Sequence, residues 1–309
     1  MATFGAFSAP GWWFRGNCHT HTLLSDGKAS AAQVARAYRR EGYDFLALTD
    51  HGRSQESIAG LGDERFLVIN GIELHPPAPG RRPDEPLHFV GIGVERSPAS
   101  EWVKKATASS VIRWIEREGG VALYAHPYWC GHDLGLMREA ERAFGVEVYN
   151  TVCEMMDGLG DASVHFDQAL SAGIRWRAFA VDDTHRLARD AFGGWIMVKA
   201  RKLTRRAILG AIRKGHFYAT QGPAIRSLRV RGGMVHLRCS PVRKIVWHAE
   251  GPLGRAIVLK RGERSRARFP LQRLVGRSKY LRLEIADAWG RKAWCNPIWR
   301  DARAGRWSD

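Results

Sequence analysis

The chain has 309 residues, 45% hydrophobic and 26% charged, and its 48 Lys and Arg against 31 Asp and Glu give a formal net charge of +17. This is the composition of an ordinary globular protein large enough to bury a full core without disulfides, and no apolar run approaches the roughly 18 residues a membrane span needs. The opening MATFGAFSAPGWWFRGN lacks the pattern of a secretory signal. Five scattered cysteines (Cys18, Cys130, Cys153, Cys239, Cys295) form no C-x-x-C pair, which argues against a thiolate zinc site and makes a cytoplasmic protein the expectation.

From Trp13 to Ala200 short apolar runs alternate with amphipathic stretches, the pattern of strand-helix units around a largely parallel sheet or barrel. The spacing predicts about seven strands, at 14–18, 45–49, 66–74, 88–94, 121–125, 146–150 and 177–181. Ser30 is placed to cap a helix ending at Gly42, and Ser100 to cap one that runs to Gly119-Gly120. A third helix is predicted over 204–214. Past Gly222-Pro223 the texture becomes alternating apolar and basic residues (IRSLRVRG, VHLRCS, KIVWHAE, IVLKRG, YLRLEIADAWG), which predicts a small antiparallel β-sandwich over about 223–300.

The basic excess is concentrated late in the chain. Residues 199–309 hold 28 Lys and Arg against 6 Asp and Glu, whereas 1–198 hold 20 against 25. Such asymmetry leaves nucleic acid open as a partner. The competing explanation is compositional bias, since 38 of the 48 basic residues are Arg.

The ionisable residues cluster at the predicted strand ends, where α/β domains place active sites. In Cys18-His19-Thr20-His21-Thr22 an extended backbone projects His19 and His21 to one side. Ser25-Asp26-Gly27 follows. His51 ends LALTDHG, Glu73 ends a strand in NGIEL, His88 opens HFVGIGV, His126 closes VALYAHP, and Asp183 and His185 close FAVDDTH. Mixed imidazole and carboxylate donors suit Zn, Mn or Fe better than Ca.

These residues, in this order, resemble the PHP (polymerase and histidinol phosphatase) superfamily over residues 14 to about 222. Tyr218 to Pro223 and Ala293 to Ile298 are similar to the segments that open and close the small β domain of its CehA/McbA-like branch, which includes carbamate ester hydrolases. The resemblance implies a distorted (βα)7 barrel over residues 1–222 with metals at its C-terminal face, and a small basic β domain over 223–309. It implies one ion held by His19, His21, Glu73 and Asp183, a second by Asp26, His51 and His185, and a third by Glu73, His88 and His126. Because Asp26 stands where some members have His, two or three divalent ions are expected.

Bunched cations lower the pKa of a bridging water, and the resulting hydroxide attacks phosphorus or a carbonyl, so no nucleophilic side chain is required. No G-x-S-x-G elbow is present. The expected activity is a phosphoesterase for small phosphate esters, with a nuclease or a carboxyl or carbamate ester hydrolase as alternatives. Arg186, Asn150 and His75 are the candidate substrate contacts, with Tyr149, His132, Tyr128 and Trp129 also near strand ends. Asp50 and Asp182 are expected to orient ligand imidazoles.

Overall fold

Seven strands form the first part of the chain: β1 (Trp12–Asn17), β2 (Phe45–Leu48), β3 (Leu67–Leu74), β4 (Phe89–Ile92), β5 (Val121–Tyr124), β6 (Gly145–Asn150) and β7 (Arg177–Val181). The computed structural model describes residues 4–271, 273, 278–300 and 307–308. The strands lie side by side in chain order. Pairing is parallel except at β4, which runs against both neighbours. Just beyond β7 and β1, Thr184 and Thr20 form a parallel bridge, with Asp183 N–H donating to His19 O and His21 N–H to Thr184 O, both at 2.9 Å. The sheet therefore closes toward a barrel at the C-terminal ends of β1 and β7. β2, β4, β5 and β6 are buried along their whole length, which is why they read as apolar runs rather than alternating ones.

The helices follow their capping residues. Ser30 and Gln33 make a reciprocal capping box at the start of Ala31–Arg40, and Thr204 caps Arg205–Arg213. The helix expected from Ser100 is instead two: Ser100–Val103 has no side-chain cap, the chain breaks, and Thr107 restarts it by accepting from Ser110 N–H at the head of Ala108–Arg117. The sequence reading passed over Leu134–Glu139, Thr151–Asp157 and Ser163–Ser171. Among the described residues no helix is long and apolar enough to cross a membrane.

β8 (Trp195–Ala200), also not foreseen, pairs antiparallel with β1 and with β9 (Phe217–Thr220). The remaining strands among the described residues are β10 (Ile225–Arg231), β11 (Met234–Val242), β12 (Lys244–Ala249), β13 (Arg255–Val258), β14 (Arg264–Pro270), β15 (Tyr280–Ala286), β16 (Lys292–Cys295), β17 (Ile298–Arg300) and β18 (Trp307–Ser308). β10, β11 and β14 make a three-stranded antiparallel sheet, while β13-β12-β15-β16 continues the first sheet through β9. Gly232 and Gly233, with φ of 56° and 71°, turn β10 into β11; a two-residue hairpin turn needs that left-handed pair. Leu228, Val235 and Leu237 of one sheet share a core with Trp247, Leu283 and Ile285 of the other. Their opposite face is basic, with Arg238 directly across from Arg266 and His236 from Arg268.

A buried polar joint ties this β region to the first part. Arg282, wholly buried, forks onto Asp167 with two bonds of 2.6 Å and reaches Glu284 at 3.2 Å. Asn296 accepts from Ala178 N–H and donates to Gly215 O and Phe217 O. The segment that closes the β region is thereby locked onto β7.

Candidate metal centre

One end of the barrel collects the side chains. His19 and His21 alternate inward just past β1, while Cys18 between strand and ligand joins the core. His51 follows β2 and bridges to Glu73, near the end of β3. His88 precedes its strand and His126 follows its own. Both reach the same face because β4 is antiparallel, so its N-terminal end lies beside the C-terminal ends of β3 and β5. His126 and Asp183 have positive φ, 25° and 57°. For residues other than glycine this is uncommon backbone, and it is held where surrounding contacts over-determine it.

The donor atoms converge on four overlapping groups, one of them His51, Glu73 and His75, and the other three match the expected ion sites. His19 Nε2 lies 3.1 Å from His21 Nε2, 3.2 Å from Asp183 Oδ1 and 3.4 Å from Glu73 Oε2. His21 Nε2 lies 2.9 Å and 3.4 Å from the same two oxygens. Four donors around one ion at about 2.05 Å would stand about 3.4 Å apart, so the spacing is that of a small cation's cage. In a second group Asp26 Oδ1 stands 3.5 Å from His51 Nε2 and 3.3 Å from His185 Nε2. In a third, Glu73 Oε1 is 3.0 Å from His88 Nδ1 and 3.4 Å from His126 Nε2. Glu73 thus turns Oε1 toward His88 and His126 and Oε2 toward His19, His21 and also His51, whose Nδ1 lies 2.7 Å away.

The electrostatics fit bound cations. Glu73 Oε2 and Asp183 Oδ1 are buried atoms without a hydrogen bond among the described residues, although imidazole nitrogens surround them. Buried lone pairs of this kind are costly unless something positive meets them. Burial disfavours both charges, yet His19 and its neighbouring imidazoles hold both carboxyls well below the usual carboxylate range. Against its own burial, His19 is raised well above the usual value by Asp183, Glu147 and Glu73. The pocket demands positive charge. Burial, helped by His126 and His75, lowers His88 to about 3 and leaves a neutral imidazole.

The orienting partners differ from those expected. Glu147, fully buried in β6, holds His19 Nδ1 at 2.7 Å, and its other oxygen accepts from His126 N–H and Asn150 Nδ2. The sequence reading missed it; the signal was a single charge within the apolar strand VEVYN. Asp50 touches no imidazole but accepts from Thr22, Ser25 and Gln55, and Ser25 Oγ in turn meets His21 Nδ1 at 3.3 Å. Asp182 also touches none: it gathers Asn17, Tyr38, Thr151 and the backbone N–H groups of 192–194. Asp50 precedes His51 on extended backbone, where successive residues project to opposite sides, whereas the left-handed φ of Asp183 departs from strand alternation and Asp182 is held behind the site by the bonds just named.

A cavity of about 390 Å³ opens above the donors. Arg186 and Trp129 line it. His75 sits at the rim of the donors, with Nε2 3.4 Å from Glu73 Oε1 and its ring 4.3 Å from that of His88. Asn150 is buried, caps Thr151–Asp157, donates to Glu147 and Asp183, and does not line the cavity. Tyr149 is buried against Trp294 and His132 is buried on the Tyr124 hydroxyl, so neither faces the cavity. Tyr128 is exposed beside His165 and does not line it.

No family model matches the chain. In fold it overlays a two-domain protein from Bacteroides vulgatus containing a predicted PHP-like metal-dependent phosphoesterase. The TM-score is 0.51 and the identity 15%, with 90% of this chain and 92% of that one covered. An amidohydrolase from Chromobacterium violaceum scores 0.40 at 17% identity, covering 55% of this chain and 87% of its own. In sequence, 77 residues are 29% identical to the DNA polymerase/3'-5' exonuclease PolX of Bacillus subtilis, over 19% of this chain and only 14% of that protein's length. The overlay covers most of the chain, from the barrel into the β region, and the chain shares the fold of that two-domain protein.

Proposed function

We propose that the protein is a metal-dependent hydrolase whose substrate is a small phosphate ester. The observation that carries this reading is Glu73, buried at the meeting point of two donor groups with Oε2 left without a hydrogen bond among the described residues. His19, His21, Glu73 and Asp183 would hold one ion, Asp26, His51 and His185 a second, and Glu73, His88 and His126 a third. Bound divalent ions lower the pKa of a coordinated water and neutralise charge that develops on ester oxygens. Glu147 fixes the His19 ring with Nε2 toward the centre, and Ser25 does the same for His21 through its Nδ1. Arg186 is the side chain of this chain best placed to meet a substrate anion at the cavity wall.

In this reading residues 1–222 carry the chemistry and the small β-sandwich of residues 223–309 braces them. Small substrates are favoured over nucleic acid because, among the described residues, the cavity lining runs from Asp26 to Asp190 and includes none of the basic half. The test is hydrolysis of p-nitrophenyl phosphate, bis-p-nitrophenyl phosphate and a carboxyl ester, with Mn or Zn added. Monoester cleavage supports the proposal. Diester cleavage alone would replace it with a nuclease reading, and carboxyl ester cleavage alone with the CehA-like one.

A further inference from the structure

The cavity above the donors has two unlike walls. One is cationic: Lys28, Arg186 and Arg189 are exposed there, and among the described residues none of them has an ion pair. The other is apolar. Met155 and Met156, 54% and 60% exposed, stand on the helix Thr151–Asp157, and Trp129 is 42% exposed beside them. The indole is fixed rather than loose: its Nε1–H donates to Asp157 Oδ2 at 2.9 Å, and it packs T-shaped with the His126 ring at 5.2 Å and 89°. The aromatic face therefore begins beside the third donor group. Methionines next to a held aromatic ring make a soft surface that adapts to a flat apolar body.

A substrate made only of polar groups would gain nothing from this wall, whereas the exposed Met and Trp surface remains a cost until something apolar covers it. We infer that the substrate is a phosphate monoester of an apolar, ring-bearing alcohol, its ring lying on Trp129, Met155 and Met156 while its phosphoryl group faces the donors and the cationic wall. Water cleaves it to inorganic phosphate and the free alcohol. The inference rests on the hydrolase reading above and adds the identity of the leaving group.

The test compares 2-phenylethyl phosphate with glycerol 1-phosphate, two esters of primary alcohols, so that leaving-group basicity is similar. For the metal-loaded protein kcat/KM is expected to favour the phenylethyl ester at least tenfold, mostly through KM. In the Met155→Ala, Met156→Ala double variant, and in Trp129→Ala, that ratio is expected to fall several-fold. A wild-type ratio within twofold, or a ratio unchanged in both variants, overturns the inference while leaving the hydrolase reading intact. If neither ester is turned over, the monoesterase reading above fails, and the same ratio measured as dissociation constants by calorimetry decides the apolar wall separately.

Discussion

Replacing Glu147 by Gln isolates the carboxylate that orients His19 without changing its size. Glu147 Oε1 stands 2.7 Å from His19 Nδ1, and Oε2 accepts from both His126 N–H and Asn150 Nδ2. A carboxylate accepts at both oxygens, but an amide accepts at one only. If Gln keeps its oxygen toward His126 and Asn150, its NH2 faces His19 Nδ1 and favours the tautomer that protonates the Nε2 needed for an ion. If it flips, NH2 meets two donors in a fully buried site. Removing such a partner typically weakens metal affinity about 10–100-fold, or about 1.4–2.7 kcal/mol. Chelator competition on wild type and Glu147→Gln would read this directly. At saturating chelator the metal-dependent part of the thermal stabilisation should vanish for both proteins, and at intermediate free metal the variant should melt lower, as mass action requires. Wild-type metal affinity in Glu147→Gln would refute the orienting role.

Alanine at His19 or Asp183 should abolish turnover with the circular dichroism spectrum retained; activity in both variants would defeat the metal-hydrolase reading. Arg282→Met leaves Asp167 and the buried Glu284 without their guanidinium, so denaturant unfolding should show a loss of about 3 kcal/mol; a loss below about 1 kcal/mol would show that the joint contributes little. The same joint predicts a pH profile. Although burial opposes it, His248 and Arg282 hold Asp167 and Glu284 below their usual values, so their contribution is full above the ordinary carboxylate pKa and is lost as pH falls through the depressed folded values. His248 is raised by Asp167 and Glu284 against burial, so its contribution is full below about 6.5 and fades as pH rises through the raised value. Arg282→Met should flatten the acid limb of melting temperature against pH, and an unchanged limb would count against it. Thr107→Ala should cost about 1 kcal/mol by loss of a cap, while Ser100→Ala should fall within about 0.5 kcal/mol; the reverse order would contradict the helix break.

Much of the barrel was legible because strands buried on both faces appear as apolar runs and their ends carry the histidines. The direction of β4 is not written in its residues, although His88 opening its strand while Glu73 and His126 close theirs was the trace of it. β14, RSRARFP, escaped notice because Ala267 is its one fully buried side chain, which leaves almost no apolar alternation to read. Glu147 is not legible from strand ends because its charge sits inside a strand. Asp50 and Asp182 misled for the opposite reason: adjacency in sequence to His51 and Asp183 suggested contact, but both carboxylates are bonded into the packing behind the site.

The central claim is that this cluster holds divalent cations, and metal content by elemental analysis tests it most directly, on the purified protein reconstituted with Mn or Zn and then desalted. The account predicts two or three ions per chain in the wild type and a loss of most of them in Glu73→Gln, whose side chain faces two donor groups. A wild-type protein that retains no ion, or a Glu73→Gln variant with unchanged stoichiometry, would contradict it.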